Sequence, residues 1–371
     1  MKIRKFSFAG ATLLAVTSVA MGQTSTIAIS TPAKLAKKED QPDVDKFFPF
    51  GARRDALVYV RFNLTDTGKV VDAEIDAGGF SNDEFQRAAL RIASALKYEP
   101  ATLNGQPVEA KSLRIPVRFW TSSQVGGPIK GVTKEFRAEA LKVQRLIQDK
   151  DFAGAEHHAN FMMAEKVALS YEFAVLQSTL ADTYARMGQY HLALAAVREV
   201  TASTGMRPEP YSPGGPLPKV TASDFLLPIG QIGQLLKLRF VLADSLGFYW
   251  DAIQSHAELQ ALGQVVAEDA TMKRFQELVK LVQTAPSLTA RARLGQYNWR
   301  HELTLRRFTV TNVRSGSLRV ITLGCAGAGR KLDYARDTEW TVPEKFGRCS
   351  IIFEGDPGTE FDIVEFRDAA G

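Results

Sequence analysis

The sequence predicts a multidomain protein, in which an α+β domain is followed by an all-α region and then by a small all-β domain. Three observations predict this order. A strand, turn, strand, helix, loop, strand pattern occupies 48–120. Helical periodicity dominates 134–283, and short alternating runs separated by Gly, Pro and Asp occupy roughly the last 75 residues. A chain of 371 residues is long enough to give two or three domains a core each.

The first 22 residues are predicted to be a secretory signal peptide. Lys2, Arg4 and Lys5 precede an apolar run over 6–22 that ends in small residues. An uncleaved anchor in the inner membrane is the alternative, but the run is short and rich in hydroxyl groups for a spanning helix. Removal of 1–22 takes away three positive charges and no negative ones and lowers the formal net charge from +5 to +2. A nucleic-acid partner is therefore not expected.

The α+β domain is predicted over 46–120, after a polar segment at 23–45 that has no periodicity and is expected to be a flexible tether. Its first strand alternates over 57–64, and its second over 71–75. Gly68 lies in the turn between them, since hairpin turns need a residue that can adopt a positive φ. These two strands are therefore expected to pair as a hairpin.

A helix is predicted next. Ser81 followed by Glu84 is a capping-box pattern, which satisfies backbone amides at a helix start. Pro100 ends the segment, because proline disfavours helical angles in the residue before it. One apolar face, which would cover the sheet, is formed by Phe85, Ala89, Ile92 and Leu96.

The last strand of this domain alternates between an apolar and a polar face. The apolar face carries Leu113, Ile115, Val117 and Phe119. Pro116, on the other face, cannot donate a hydrogen bond to a ladder, so the strand is expected at a sheet edge. The residues thus predict a small α+β fold with one open edge.

Together these residues resemble the C-terminal domain of TonB-type energy transducers. The resemblance is carried by VRFNLTDTGKVVDAEI, by ALKYEPATLNGQPV and by LRIPVRF, and it covers about a fifth of the chain. Its most specific part is the aromatic-x-proline motif of Tyr98 and Pro100, which Phe48 and Pro49 precede. A pattern spread over a whole domain argues the fold more strongly than the function.

The resemblance implies a periplasmic protein that binds another protein or a peptide by strand addition, such as a segment of a TonB-dependent outer-membrane receptor. The partner would pair with the last strand, so Leu113, Ile115, Val117 and Phe119 are the candidate partner-binding residues. The same four side chains could instead form the sheet core, because strand addition uses mainly backbone groups. The family's transducers carry a membrane helix and a long proline-rich spacer, which 1–45 does not show, so energy transduction stays open.

A linker rich in Ser, Gly and Pro is predicted at 121–132, and a helical region at 133–295. The stretch LADTYARMGQYHLALAAVREV has tetratricopeptide-like spacing, and two weaker echoes flank it. An unrelated helical bundle is the alternative. A solenoid of such pairs would offer a concave face to a partner, which makes a scaffold or adaptor the second functional hypothesis. The spacing is carried by Leu180, Tyr184, Gly188, Tyr190 and Ala193.

The β-rich domain is predicted over 296–371. Cys325 and Cys349 are the only cysteines, and in an exported protein they are expected to form a disulfide. Trp299, Trp340 and Phe346 could offer their rings to a sugar, or they could pack in the core or at the rim of this domain. A cell-envelope glycan binder is therefore the third functional hypothesis.

No pattern in the sequence predicts catalysis. The five histidines lack metal-ligand spacing, and the glycines near Cys325 are not followed by the helix that a dinucleotide site needs. We therefore expect a non-enzymatic protein with no cofactor and no metal. Its expected partners are proteins or peptides, a second copy of the chain included.

Overall fold

The computed structural model describes residues 30–31, 33–37, 39, 41, 43–49, 54–103, 105–120, 131–201, 215–265, 270–295, 299–325, 329–336, 338–343 and 349–367. The predicted signal peptide and most of the predicted linker lie outside these residues. The described residues form three units that pack together: one α+β, one helical and one β-rich.

The N-terminal domain is a three-stranded antiparallel sheet with one helix packed on it. Its elements are β1 (Ser30–Thr31), β2 (Lys34–Leu35), β3 (Ala56–Leu64), β4 (Val70–Phe80), α1 (Asp83–Ala95), β5 (Tyr98–Glu99), β6 (Ala101–Leu103), β7 (Gln106–Val108) and β8 (Ala110–Phe119). The sheet order is β4-β3-β8. Val58, Val60 and Phe62 of β3 are buried against Phe85 and Ile92 of α1, on the faces that the alternation predicts.

Two local details of this domain differ from the prediction. The N-cap of α1 is Asn82, not Ser81, and its side-chain oxygen accepts a hydrogen bond of 3.1 Å from the amide of Phe85. Asn and Ser cap helices about equally well, so their adjacency left the start ambiguous by one residue. The segment after Pro100 is not a plain loop, because β6 and β7 pair there as a hairpin.

Part of the segment 23–45 is paired with the domain. β1 pairs with β6, and β2 pairs with β5. The side-chain amide of Gln41 donates hydrogen bonds to the carbonyls of Ala36 (2.9 Å) and Lys97 (2.8 Å). The prediction of a flexible tether is therefore wrong for these residues. Two-residue strands are too short to leave an alternating pattern in a sequence.

The helical region is built from three helical hairpins and one further helix. Its helices are α2 (Lys134–Gln148), α3 (Phe152–Glu165), α4 (Ser170–Arg186), α5 (Tyr190–Thr201), α6 (Ile229–Ser245), α7 (Tyr249–Ala261) and α8 (Ala270–Thr284). α2 and α3, α4 and α5, and α6 and α7 form the hairpins. None of the described helices has the length and apolar character that crossing a membrane requires.

The three hairpins share one turn geometry. Each connection has three residues, and the middle one adopts a positive φ: 61° at Lys150, 71° at Gly188 and 81° at Gly247. In each, the amide of the last connecting residue donates a 2.8 Å hydrogen bond to a carbonyl five residues earlier. The fourth residue of each second helix is a buried alanine, and these are Ala155, Ala193 and Ala252. The hairpins therefore repeat in structure, while the tetratricopeptide-like interpretation stays a prediction.

The β-rich domain consists of two four-stranded antiparallel sheets around a shared core. Its strands are β9 (Ser287–Arg293), β10 (Trp299–Glu302), β11 (Arg307–Arg314), β12 (Leu318–Cys325), β13 (Gly329–Asp333), β14 (Glu339–Thr341), β15 (Cys349–Gly355) and β16 (Glu360–Phe366). The sheet orders are β10-β15-β12-β13 and β14-β11-β16-β9. A disulfide joins Cys325 to Cys349, as expected. Strand β9 pairs with β16, so the β-rich domain begins at Ser287 rather than at residue 296.

The helical region contacts both of its neighbours through one hydrophobic core. Leu57 and Tyr59 from β3 belong to it, as do Leu288 and Ala290 from β9. On the β9 side, the amide of Arg291 donates a 2.8 Å hydrogen bond to the carbonyl of Leu246. The three units therefore share buried surface and are not independent domains on a string.

Asp55 joins the N-terminal sheet to the helices. Its side chain accepts a 2.9 Å hydrogen bond from the amide of Ser170, and its own amide donates one of 2.8 Å to the carbonyl of Ala168. Asp55 is only 1% exposed. Nearby, the rings of Phe80 and Phe173 stack with their centroids 4.8 Å apart. These contacts fix the sheet against the N-terminus of α4.

Replacing Asp55 with alanine is expected to lower the stability of this junction by about 1 to 3 kcal/mol, because the buried amide of Ser170 loses its acceptor. Native-state hydrogen exchange at Ser170, together with the midpoint of urea unfolding, measures the effect. Asp55→Asn is the matched control, since its side-chain oxygen can still accept the bond. Equal losses in the two variants would mean that the hydrogen bond is not what holds the junction.

Candidate partner-binding surfaces

Strand β8 forms one edge of the N-terminal sheet. It pairs with β3 without a register shift from Ala56↔Phe119 to Phe62↔Leu113. Within the described residues, backbone pairing joins β8 to β3 alone. Its outer side therefore carries a regular row of backbone donors and acceptors, interrupted at Pro116, which is what an added strand needs.

Strand β4 forms the opposite edge and is less regular. Its ladder with β3 shifts register twice. Three of its residues adopt positive φ: Asp72 at 53°, Gly78 at 101° and Gly79 at 76°. Such bulges twist an edge and break the spacing of its hydrogen-bonding groups. β8 is therefore the better edge for strand addition.

The four candidate side chains on β8 point into the core of their own domain. Val117 is 7% exposed and Phe119 is 1% exposed, and Leu113 and Ile115 are half-buried against the same core. The core role that the sequence left open is thus the one that the structure gives them. They hold β8 from behind and are placed for packing rather than for contact with a partner.

The upstream motif residues also pack in this core. The ring of Phe48 lies 5.5 Å from that of Phe119 and 6.4 Å from that of Phe85. The ring of Tyr98 lies 5.6 Å from that of Phe62, and burial raises the pKa of Tyr98 to about 12. Pro49 is buried and Pro100 is half-buried. The motif that carried the family resemblance is therefore structural.

A polar cluster lies on the other face of the sheet, against α5. The hydroxyl of Tyr59 donates a 3.0 Å hydrogen bond to Glu199, and the guanidinium carbon of Arg114 lies 3.5 Å from the centroid of the Tyr59 ring. Arg114 also forms a 2.7 Å ion pair with Asp76. Burial, with the charge of Glu199, raises the pKa of Tyr59 far above its usual range. This cluster occupies that face at Tyr59 and Arg114, while Pro116 on the same face of β8 is exposed.

The β-rich domain lies close to the N-terminal domain at β8. Cα atoms of β12 and β13 lie within 8 Å of Cα atoms of β8. The chain therefore brings its last domain beside the candidate edge strand. No local sequence pattern could have indicated this contact, because about 200 residues separate the two strands.

A second candidate surface is a groove between the first helices of two hairpins. It has a volume of about 460 Å³ and lies between α4 and α6. Its apolar lining includes Tyr171, Val175, Leu235 and Leu238, and its polar lining includes Ser178 and Gln231. Val241 lies three residues beyond Leu238 on α6 and is 55% exposed, so the apolar stripe continues past the groove. The helical motif residues Leu180, Tyr184 and Ala193 are buried, and Tyr190 is exposed.

The third candidate surface, the aromatic rings of the β-rich domain, is partly covered. Trp299 stacks on His301 at 5.6 Å, and Trp340 stacks on Phe308 at 5.3 Å. Phe346, a further ring considered for sugar binding, lies outside the described residues. One face of each tryptophan is thus occupied by another ring, and the glycan hypothesis stays a prediction.

His301 belongs to a buried pair that sequence reasoning missed. Its Nε2 lies 2.7 Å from Oε1 of Glu365, and Oε2 of Glu365 accepts hydrogen bonds of 2.6 Å from the amides of Thr304 and Leu305. The pair joins the two sheets at the end that meets the helices. Among the residues that the structure describes, no three His, Cys, Asp or Glu side chains gather as a metal site would require.

Comparison with known proteins identifies the N-terminal domain. Neither a curated protein nor a solved structure matches the chain. One family model matches it, and this is the model described as Gram-negative bacterial TonB protein C-terminal. The match covers strands β3, β4 and β8 and helix α1. Residues 51–121 therefore belong to the Gram-negative bacterial TonB protein C-terminal family, as the sequence resemblance predicted.

Proposed function

We propose that this protein is a non-enzymatic binding protein of the periplasm, which takes up an extended segment of a partner protein by strand addition to β8. The observation that carries the proposal is the position of β8. It is the last strand of the family-matched domain and the regular edge of its sheet. Backbone hydrogen bonds along this edge supply affinity, and the alternating side chains of the incoming strand set its register.

The candidate residues of β8 have a positioning role in this proposal. Val117 and Phe119 anchor the strand in the core, so that its outer backbone groups stay in one plane. Rigid presentation matters because an edge that is already ordered loses less conformational entropy on binding. A TonB-dependent outer-membrane receptor is the partner class to test first, and a second copy of the chain is the next.

A titration with peptides from the N-terminal box of such receptors tests the proposal. Binding is expected to shift the backbone amide resonances of 110–119 and to leave those of 70–80 in place. Peptides methylated at alternate backbone nitrogens provide the matched control. In one set of peptides, the methylated nitrogens are those whose N–H groups would face β8. Loss of several such hydrogen bonds, at roughly 1 kcal/mol each, is expected to weaken binding at least about tenfold. Methylation in the other phase leaves the paired donors intact.

Two outcomes would contradict strand addition. Absence of any shift along 110–119 at saturating peptide would remove β8 as the docking strand. Equal weakening by both methylation phases would mean that the peptide binds through side chains or shape rather than through a ladder.

The groove between α4 and α6 supports a second candidate function, a scaffold that binds a partner on its helices. A photo-crosslinking residue at Gln231 reports on the groove, and one at Pro116 reports on β8, because Pro116 is exposed. A purified partner that crosslinks from position 231 and not from position 116 would favour the scaffold. The reverse result would favour strand addition.

A further inference from the structure

His191 lies where the helical region meets the β-rich domain. It is the second residue of α5, and its half-buried ring meets that of Phe248 at 6.4 Å and an angle of 67°. Phe248 ends the turn of the third hairpin, and its ring contacts Trp299 at 5.3 Å and His301 at 6.0 Å. One aromatic ring therefore links His191 to strand β10 of the β-rich domain.

The same turn carries a backbone contact with the β-rich domain. The amide of Arg291 on β9 donates its 2.8 Å hydrogen bond to the carbonyl of Leu246. A Cβ added at Gly247 would overlap the carbonyl oxygen of Thr289, so β9 lies directly against the turn. The β9–turn contact, between β9 and residues 246–248, is thus next to the ring that His191 meets.

The surroundings of His191 disfavour a charged imidazole. Burial is the largest cause, and the charges of Arg293 and Arg291 on β9 and of Arg198 on α5 act in the same direction. The carboxylate of Glu360 on β16 opposes them. The N-terminal end of a helix, where His191 lies, also repels a cation. Together these effects lower the pKa of His191 to about 4, so its ring is neutral at pH 7.

Detachment of β9 from the turn changes this balance. Arg291, Arg293 and Glu360 belong to the β-rich domain, so they move away with it, and water reaches the imidazole of His191. A solvated histidine titrates near pH 6.5. The detached form therefore binds the proton more tightly than the closed form does. Its population rises as the pH falls from about 6.5 toward 4, and the closed form has its full advantage above about pH 6.5.

We propose that His191 is an acid-sensitive switch between the helical region and the β-rich domain, in which uptake of one proton by its imidazole releases β9 from the turn at 246–248. Release breaks the hydrogen bond from Arg291 to Leu246 and leaves the ladder between β9 and β16 intact. The guanidinium of Arg367 donates hydrogen bonds of 3.1 Å to the carbonyls of Val282 and Ala285, which keep the end of β16 on α8 as a hinge. The switch is independent of strand addition at β8, because it acts at a different contact.

Hydrogen exchange of the Arg291 amide in the full chain measures the release, as a protection factor corrected for the intrinsic pH dependence of exchange. Between pH 7 and pH 5 this factor is expected to fall about twentyfold in the wild type, because the closed form titrates near 4 and the detached form near 6.5. His191→Gln keeps a neutral polar side chain without the proton site, so its factor is expected to stay constant. His157→Gln is the matched control, since His157 is an exposed histidine on α3, and it is expected to behave like the wild type.

Two further measurements make the switch falsifiable. The imidazole resonances of His191 report its pKa directly, and titration near 6.5 instead of 4 would overturn the proposal. The amides of 349–355 are expected to keep their protection at pH 5, and their loss together with that of Arg291 would mean unfolding of the β-rich domain rather than release. A fall at Arg291 that persists in His191→Gln would also overturn the switch. It would assign the acid sensitivity to other groups of this junction, such as the pair of His301 and Glu365.

Discussion

Replacing Asp251 with asparagine is expected to lower the stability of the helical region by about 3 to 5 kcal/mol, the usual cost of removing one partner from a buried ion pair. Asp251 on α7 accepts hydrogen bonds from Arg198 on α5 (2.8 Å) and Arg239 on α6 (2.9 Å). Arg239 is 7% exposed and also donates to the hydroxyl of Thr201. Asparagine leaves the buried guanidinium of Arg239 with Glu258, 3.7 Å away, as its carboxylate partner, and it removes the carboxylate that pairs with the half-buried Arg198.

The same carboxylate gives this substitution a pH dependence. Burial raises the pKa of Asp251, but the charges of Arg198 and Arg239 outweigh it and bring the pKa below its usual range. The folded-state pKa is thus lower than the unfolded-state value of about 3.9. The stabilisation is present above about pH 4 and is lost as the pH falls toward the folded-state pKa. The difference between wild type and Asp251→Asn should therefore be constant from about pH 8 to 5 and shrink below about pH 4.

Urea unfolding at several pH values, with hydrogen exchange in α5, α6 and α7, measures both effects. Asp182→Asn is the control, because Asp182 pairs with Arg186 at 2.8 Å but both side chains are more than half exposed. An exposed pair of this kind contributes little to stability, because water and salt screen it. Similar losses for Asp182→Asn and Asp251→Asn would show that the buried cluster does not join the hairpins.

The elements of the N-terminal domain follow from local sequence signals. Alternation over 57–64, a turn at Gly68 and a proline in the last strand are enough to place β3, the turn and the edge strand β8. The predicted N-cap of α1, Ser81, lies one residue before the observed one, Asn82. Both residue types are good caps, and only the backbone angles decide between them. Such signals depend on a few neighbouring residues, so they can be recognised in the sequence alone.

The candidate site depends on contacts that no local signal encodes. Alternation shows that Leu57 and Tyr59 share a face, but not that the helical region covers it. Tyr59 and its partner Glu199 are 140 residues apart. Asp55 and Ser170 are 115 apart. In the sequence, a charged residue that forms such a long-range pair cannot be distinguished from a charged residue on the surface. The sequence therefore predicts that β8 lies at a sheet edge, but it does not predict that β12 and β13 lie near β8.

The paired strands at 30–35 illustrate the same limit on a smaller scale. β1 and β2 have two residues each, and their partners lie in β6 and β5, more than 60 residues later. The polar composition of this segment predicts disorder, although strands β5 and β6, which are distant in sequence, supply its backbone hydrogen bonds. Low periodicity is thus a weak argument for flexibility when a neighbouring domain offers free edges.

Replacing Gly247 with alanine is expected to destabilise the protein by about 2 to 5 kcal/mol, through two costs that add. Gly247 has a φ of 81°, where a Cβ costs roughly 1 to 2 kcal/mol. A Cβ at this position would also overlap the carbonyl oxygen of Thr289 and lie 3.0 Å from the Cα of Ala290. Both belong to β9, so the strand must shift or the turn must deform, at a further cost of about 1 to 3 kcal/mol.

The equivalent turns supply controls that isolate the second cost. Gly188 has a φ of 71°, and a Cβ there would meet nothing within 4 Å, so Gly188→Ala is expected to cost about 1 to 2 kcal/mol. Lys150 occupies the same position in the first hairpin at a φ of 61°, and Lys150→Gly is expected to relieve up to about 1 kcal/mol. Urea unfolding gives the three values, and exchange of the Arg291 amide reports on its hydrogen bond to Leu246. Equal costs for Gly188→Ala and Gly247→Ala would contradict close packing of β9 on this turn. A larger cost at 247, with faster exchange at Arg291, would show that β9 packs directly on the turn of the third hairpin. The same turn in the second hairpin carries no such contact at Gly188.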